Sequence, residues 1–87
     1  MTPKISVIIP TCNRPELLKR SMASVLAQTF ADFELIVVDD GMKKRAESAV
    51  SSFGDSRIRY VKNETSLGGG GARNRGIAEA RGEYIAF

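Results

Sequence analysis

Three groups of residues in this 87-residue chain have types and spacing suited to chemistry. Asp39, Asp40 and Gly41 close an apolar run, Leu35–Val38. Thr11, Cys12, Asn13 and Arg14 follow an earlier run. Four glycines, Gly68–Gly71, stand directly before Arg73 and Arg75. A carboxylate at a strand end can accept a hydrogen bond from a base imide, a ribose hydroxyl or a metal-bound water. It serves equally well if Asp39 caps the next helix and Asp40-Gly41 forms a turn. Adjacent strand residues point to opposite faces, so the two aspartates do not read as one acid–base pair. The glycines would let backbone N–H groups approach an anion at a helix N-terminus, with guanidinium groups adding charge-assisted bonds. The same stretch also fits a plain mobile turn.

Two phosphate motifs are excluded. A dinucleotide fingerprint would follow the first strand, and in a P-loop a lysine would stand where Ile77 does. Cys12 is the only cysteine and the chain has no histidine. That rules out an internal disulfide and leaves no imidazole to activate the thiol, so Cys12 reads as a small thiol and not a nucleophile.

The elements that must position these residues alternate. Ile5–Pro10 is a β-branched run expected of a strand buried on both faces. Glu16–Gln28 places Leu18, Met22, Val25 and Leu26 on one helical face, with Pro15 in the first turn and Thr11 or Asn13 as cap. The stretch from Phe33 is a second strand. Residues Lys43–Phe53 read as a helix through Ala46, Ala49, Val50 and Phe53; Lys43, Lys44 and Arg45 would be its solvated start, opposing the helix dipole. Arg57–Asn63 is a third strand with Arg57 and Arg59 at the surface. Residues Glu64–Gly71 read as loop and Ala72–Arg81 as a third helix. Glu83–Phe87 begins a fourth strand.

This order predicts an α/β fold, a three-layer αβα arrangement around a mostly parallel, Rossmann-like sheet with right-handed crossovers. All three polar groups then fall on one rim, beyond the carboxyl ends of the strands, where such sheets bind ligands. The sheet stops inside its fourth strand, so residues 1–87 read as part of a larger domain.

Hydrophobic content of 43%, charged content of 26% and a net charge of +3 are ordinary for a globular protein. The mild positive balance suits a phosphate-bearing ligand. Aromatic residues are too few and too dispersed for a nucleic-acid platform. The apolar run before Pro10 is too short for a signal-peptide core or a membrane span. A cytoplasmic location is expected, with the inner membrane face open to a longer enzyme.

The ordered segments SVIIPTCNRPELLKRSMASVLAQTFADFELIVVDDG, RIRYVKN and LGGGGARNRGIAEARGEYIAF closely resemble the start of family 2 glycosyltransferases of the GT-A fold. The resemblance implies inverting transfer of a sugar from a nucleotide-sugar, often a UDP-sugar, to a hydroxyl of a saccharide or lipid-linked acceptor. It implies that Pro10, Thr11, Cys12 and Asn13 pack around base and ribose. It implies that Asp40 hydrogen-bonds the uracil and that Arg73 lies near the diphosphate, with Arg75 turned away. It also implies a divalent cation, Mg²⁺ or Mn²⁺, whose ligands lie beyond Phe87, so that no catalytic residue falls within the chain. Cys12 stands where the family often has a base-stacking aromatic, Ser66 where asparagine is common, and Met42 where serine is usual. A non-catalytic nucleotide-binding or regulatory module of the same fold is the alternative. A nucleotidyltransferase fits less well, because TCNRPE offers only Arg14 where that class wants a basic loop. An uncovered fourth strand would invite self-association.

Overall fold

Strand β2, Phe33–Asp39, is the centre of the sheet, and all seven of its residues are buried. Its FELIVVD sequence places apolar groups toward both faces, as a strand covered on both sides requires. The structure is a computed structural model and describes residues 3–41, 43 and 46–87. Strand β1 (Ile5–Thr11) and strand β3 (Ile58–Lys62) flank β2, both parallel to it. Strand β4 (Tyr84–Ala86) pairs parallel with the outer side of β1, from Ile5–Tyr84 to Val7–Ala86. The order is therefore β3-β2-β1-β4. No strand pairs with the far edge of β4 among the described residues.

The period of two along β2 sends alternate side chains to two different cores. Phe33, Leu35 and Val37 meet Leu18 and Met22 of α1 (Pro15–Leu26) and Val50 of α2 (Glu47–Ser51). Ile36 and Val38 meet Ile8, Val61 and Ala72 of α3 (Gly68–Glu79). Each fully buried aliphatic side chain contributes about 1.5–3 kcal/mol. Helices on both faces make the expected three-layer αβα arrangement. Gly76 lets α3 lie close to the sheet, because a Cβ there would sit 2.5 Å from Ile8 Cγ2.

Four expectations need correction. Neither Thr11 nor Asn13 caps α1. Its N-cap position is Arg14, with no side-chain cap. Asn13 instead takes a left-handed conformation (φ 55°) and accepts the Lys43 N–H on Oδ1 at 3.0 Å. Helix α2 has five residues and does not start at Lys43. The Asp39 carboxylate accepts the Ala46 N–H at 2.8 Å, which sets the start one residue later. Lys43 is exposed and lies before the helix, while Met42, Lys44 and Arg45 lie outside the described residues.

Helix α3 starts at Gly68, so the four glycines are its first turn and not a loop. Finally, Arg57 and Arg59 are not free at the surface but partly buried and paired, with side chains 29% and 26% exposed. Arg57 stacks on the Phe33 ring at 4.4 Å and pairs with Asp55, and Arg59 pairs with buried Glu34.

Candidate functional site

The strand order reverses direction between β1 and β4, so the carboxyl end of β1 borders a crevice. A cavity of about 340 Å³ opens there. Pro10, Thr11 and Cys12 form one side and Gly68, Gly69 and Arg73 of α3 the other, with Asp40 between them. Five of the six residues expected at the site thus come together: Pro10, Thr11, Cys12, Asp40 and Arg73. Asn13 does not line the cavity. It stands behind the wall, tying the β1 loop to the β2 loop through Lys43. Gly41 is needed at that contact, since a Cβ would lie 2.6 Å from the Asn13 backbone nitrogen.

Asp40 is 4% exposed and fully engaged. Its Oδ1 accepts from Asn63 Nδ2 at 2.9 Å and from the Leu67 N–H at 2.7 Å. Its Oδ2 accepts from Ser66 Oγ at 2.9 Å and from the Gly68 N–H at 2.9 Å. The Leu67 N–H bond is the main influence that holds this carboxyl below its usual range. Burial opposes it, and Asn63, Ser66 and the Gly68 N–H reinforce it. An α-helix leaves its first N–H groups without internal partners, and an anion there also meets the favourable end of the helix dipole. Asp40 answers both needs, which explains why four poor helix formers can begin a helix.

Asp39 points to the opposite face. It accepts the Gly41 N–H, the Ala46 N–H and the Tyr60 hydroxyl. The two aspartates are therefore separated by the pleat and satisfied by N–H and O–H donors, an arrangement that does not fit a divalent cation. No cluster of three or more His, Cys, Asp or Glu residues suited to a metal occurs among the described residues.

Arg73 and Arg14 both line the cavity, and neither pairs with a carboxylate among the described residues. Arg75 turns away from the cavity, donating to Asn63 Oδ1 at 2.9 Å. Cys12 Sγ lies 3.8 Å from the Asp40 carbonyl oxygen. Helix α1 adds a wall that the motifs do not announce, made by Leu17 and Ser21 beside Arg14. Spacing of three and four residues puts these on one helical stripe. An apolar Leu17 that is 51% exposed fits a wall better than an outer face.

Residues 6–87 match the family described as Glycosyl transferase family 2. The chain belongs to that family. It is 41% identical over 83 residues to an Escherichia coli protein named UDP-Glc:alpha-D-GlcNAc-diphosphoundecaprenol beta-1,3-glucosyltransferase WfgD, covering 95% of this chain and 33% of that one. It is 40% identical over 88 residues to GalNAc(5)-diNAcBac-PP-undecaprenol beta-1,3-glucosyltransferase of Campylobacter jejuni, covering 98% of this chain and 28% of that one. Among solved structures, that of S. aureus TarS 1-349 superposes with a TM-score of 0.84 at 31% identity, covering 94% of this chain and 26% of that one. The fold is thus of the GT-A glycosyltransferase type, and the chain spans a third or less of these relatives. No helix among the described residues is long and apolar enough to cross a membrane.

At the opposite end of this glycosyltransferase-family sheet lies a polar cluster that no motif in the sequence marks. Glu34, 6% exposed, accepts from Ser6 Oγ at 2.6 Å, the Arg81 N–H at 2.7 Å and Arg59 Nη1 at 2.9 Å. Burial pushes its carboxyl up, but the Ser6, Arg81 and Arg59 bonds together outweigh that and leave it below its ordinary value. Arg59 also donates to the Glu79 carbonyl at 2.6 Å, so it holds the last turn of α3. A weaker signal for this cluster is present, in one acidic residue inside an otherwise apolar strand.

Proposed function

We propose that the cleft binds the nucleoside diphosphate of a nucleotide-sugar donor, a UDP-sugar, for a glycosyltransferase that transfers the sugar with inversion to an acceptor hydroxyl. The observation that carries this reading is a pair of guanidinium groups, Arg14 and Arg73, that line a cleft at the switch point and form no salt bridge among the described residues. Outside the cleft, Arg57 pairs with Asp55, Arg59 with Glu34 and Glu79, and Arg75 with Glu79. Arg20 and Arg81 pair with no acid among the described residues, so it is the placement of Arg14 and Arg73 on the cavity that singles them out. Guanidinium groups without acid partners among the described residues suit a diphosphate.

The donor identity is supported by the E. coli relative, whose name specifies UDP-Glc. A lipid-linked acceptor is supported by the undecaprenol in both relatives' names, which agrees with work at a membrane face. Inversion rests on the family resemblance. A divalent cation for the leaving diphosphate would be held by residues other than Asp39 and Asp40.

Amide NMR titration with UDP tests the reading. Shifts at Thr11, Cys12, Gly69 and Arg73 are expected. Shifts confined to the Glu34–Arg59 end, or none, would refute it.

A further inference from the structure

We propose that Gly69 is a binding residue of the cleft through the side chain it lacks, the free space there admitting phosphate oxygens to the Arg73 guanidinium. The claim deepens the nucleotide reading of the cleft and rests on it for the ligand, a nucleoside diphosphate.

The four glycines that open α3 divide by what a side chain would meet. Gly68 has φ +78°, a left-handed conformation that L side chains rarely adopt. At Gly71 a Cβ would stand 2.6 Å from Leu67 Cβ, so a side chain would push the turn apart. The fold itself therefore requires glycine at both positions. It does not at the other two, where φ is not positive. A Cβ at Gly70 would meet nothing within 4 Å. One at Gly69 would meet Arg73 Nη1 and Nη2 at 3.7 and 3.9 Å, which are ordinary contact distances. Glycine is the poorest helix former after proline, so a helix that keeps it at 69 and 70 gives up stability there.

The two positions differ in what they face. Gly69 lines the cavity together with Arg73, one helical turn further on, and Gly70 does not line it. The space a side chain would take at 69 is thus cavity space beside the guanidinium. A guanidinium holds phosphate oxygens through parallel N–H bonds in its own plane, and its edge must be clear for that. A methyl group at 69 would narrow the approach, and a longer side chain would close it or displace Arg73. A side chain at 70 would do neither. If glycine instead served to keep the turn loose, positions 69 and 70 would matter alike.

The experiment measures affinity for UDP and for inorganic pyrophosphate, and melting midpoints, for the chain and for Gly69→Ala, Gly69→Leu, Gly70→Ala and Gly70→Leu. Gly69→Ala should weaken both ligands about threefold and Gly69→Leu at least about tenfold, with both changes at 70 within about twofold of the unaltered chain. Midpoints of all four variants should equal that of the chain or exceed it by about 2–5 °C, so that unfolding does not account for the loss.

Equal losses at 69 and 70, no loss at 69, or a loss for UDP that pyrophosphate does not share overturns the proposal. So does a midpoint lower by more than about 5 °C for Gly69→Ala than for Gly70→Ala, since the fold would then require glycine at 69 as well. If Gly69→Leu does not fold, Gly69→Ala decides. Where one probe alone binds, the comparison of positions 69 and 70 is read on that probe. Binding of pyrophosphate without UDP refutes the nucleoside reading by itself, and a chain that binds neither overturns both.

Discussion

Helix α3 is held at both ends by acids on the same face of β2, Glu34 and Asp40, and the two attachments differ in how charge is balanced. At the Glu34 end the acid meets a cation, Arg59, which reaches on to Glu79 and the end of the helix. At the Asp40 end every partner of the acid is neutral: an amide, a hydroxyl and two backbone N–H groups. The cations near Asp40 are thereby left over, and they face a cavity. A closed polar network belongs to the scaffold, whereas a network that leaves charge unspent marks the place for a ligand.

Acid is the broadest way to break this comparison, since it removes both attachments. The Glu34 and Asp40 carboxyls lie below their ordinary values, and Asp55, bonded by the Arg57 side chain, is lowered to about 2. Groups lowered in the folded state add stability above the unfolded pKa, near 4 for carboxyls. That stability disappears as pH falls from there through the folded values. Melting midpoints from circular dichroism should therefore fall below about pH 4.5, with little change between about 5 and 7.

Glu34→Leu is expected to be the most damaging single change. It leaves Arg59 partly buried without its main partner and costs about 2–3 kcal/mol in urea unfolding. Nucleotide affinity should fall only as far as unfolding explains. Arg73→Ala should behave in the opposite way, leaving stability within about 0.5 kcal/mol and weakening UDP about tenfold, near 1.4 kcal/mol. If both variants lose stability alike, the division into scaffold end and ligand end fails.

Gly76→Ala comes next. Overpacking against Ile8 costs about 1–3 kcal/mol, less about 1 kcal/mol regained in helix propensity. A small net loss in stability is expected, with a drop in UDP affinity as α3 lifts from the sheet. The weakest effect is association. Tyr84, Ile85 and Phe87 are exposed, the last at 66%, beside the open edge of β4. Sedimentation should show a concentration-dependent dimer, and Ile85→Lys should abolish it.

The rim is legible in the sequence because it depends on order. Apolar runs ending in Thr11 and Asp40, with glycines after the third run, suffice to gather three loops once a parallel sheet is assumed. Strand β2 is legible for the same reason, its apolar run being unambiguous. The start of α3 is not legible. Local propensity argues against a helix that opens on Gly68–Gly71, and the group that overrides propensity lies 28 residues earlier in the chain, at Asp40. The role of Asn13 is hidden because its partner is 30 residues away. Arg59 reads as a surface residue because alternation along β3 says which face it occupies, not that Glu34 waits there. Short-range patterning is blind to polar bonds that span the sheet.

Residues 39, 40 and 41 link everything around the cleft. Asp39 grips the approach to α2, Asp40 grips α3, and Gly41 abuts Asn13 on the β1 loop. Three consecutive residues thus act as a common axle, and the loops they join cannot open one at a time. Entry of a ligand against any one of them should be felt by all three, so this edge of the protein should respond as a single stiff plate.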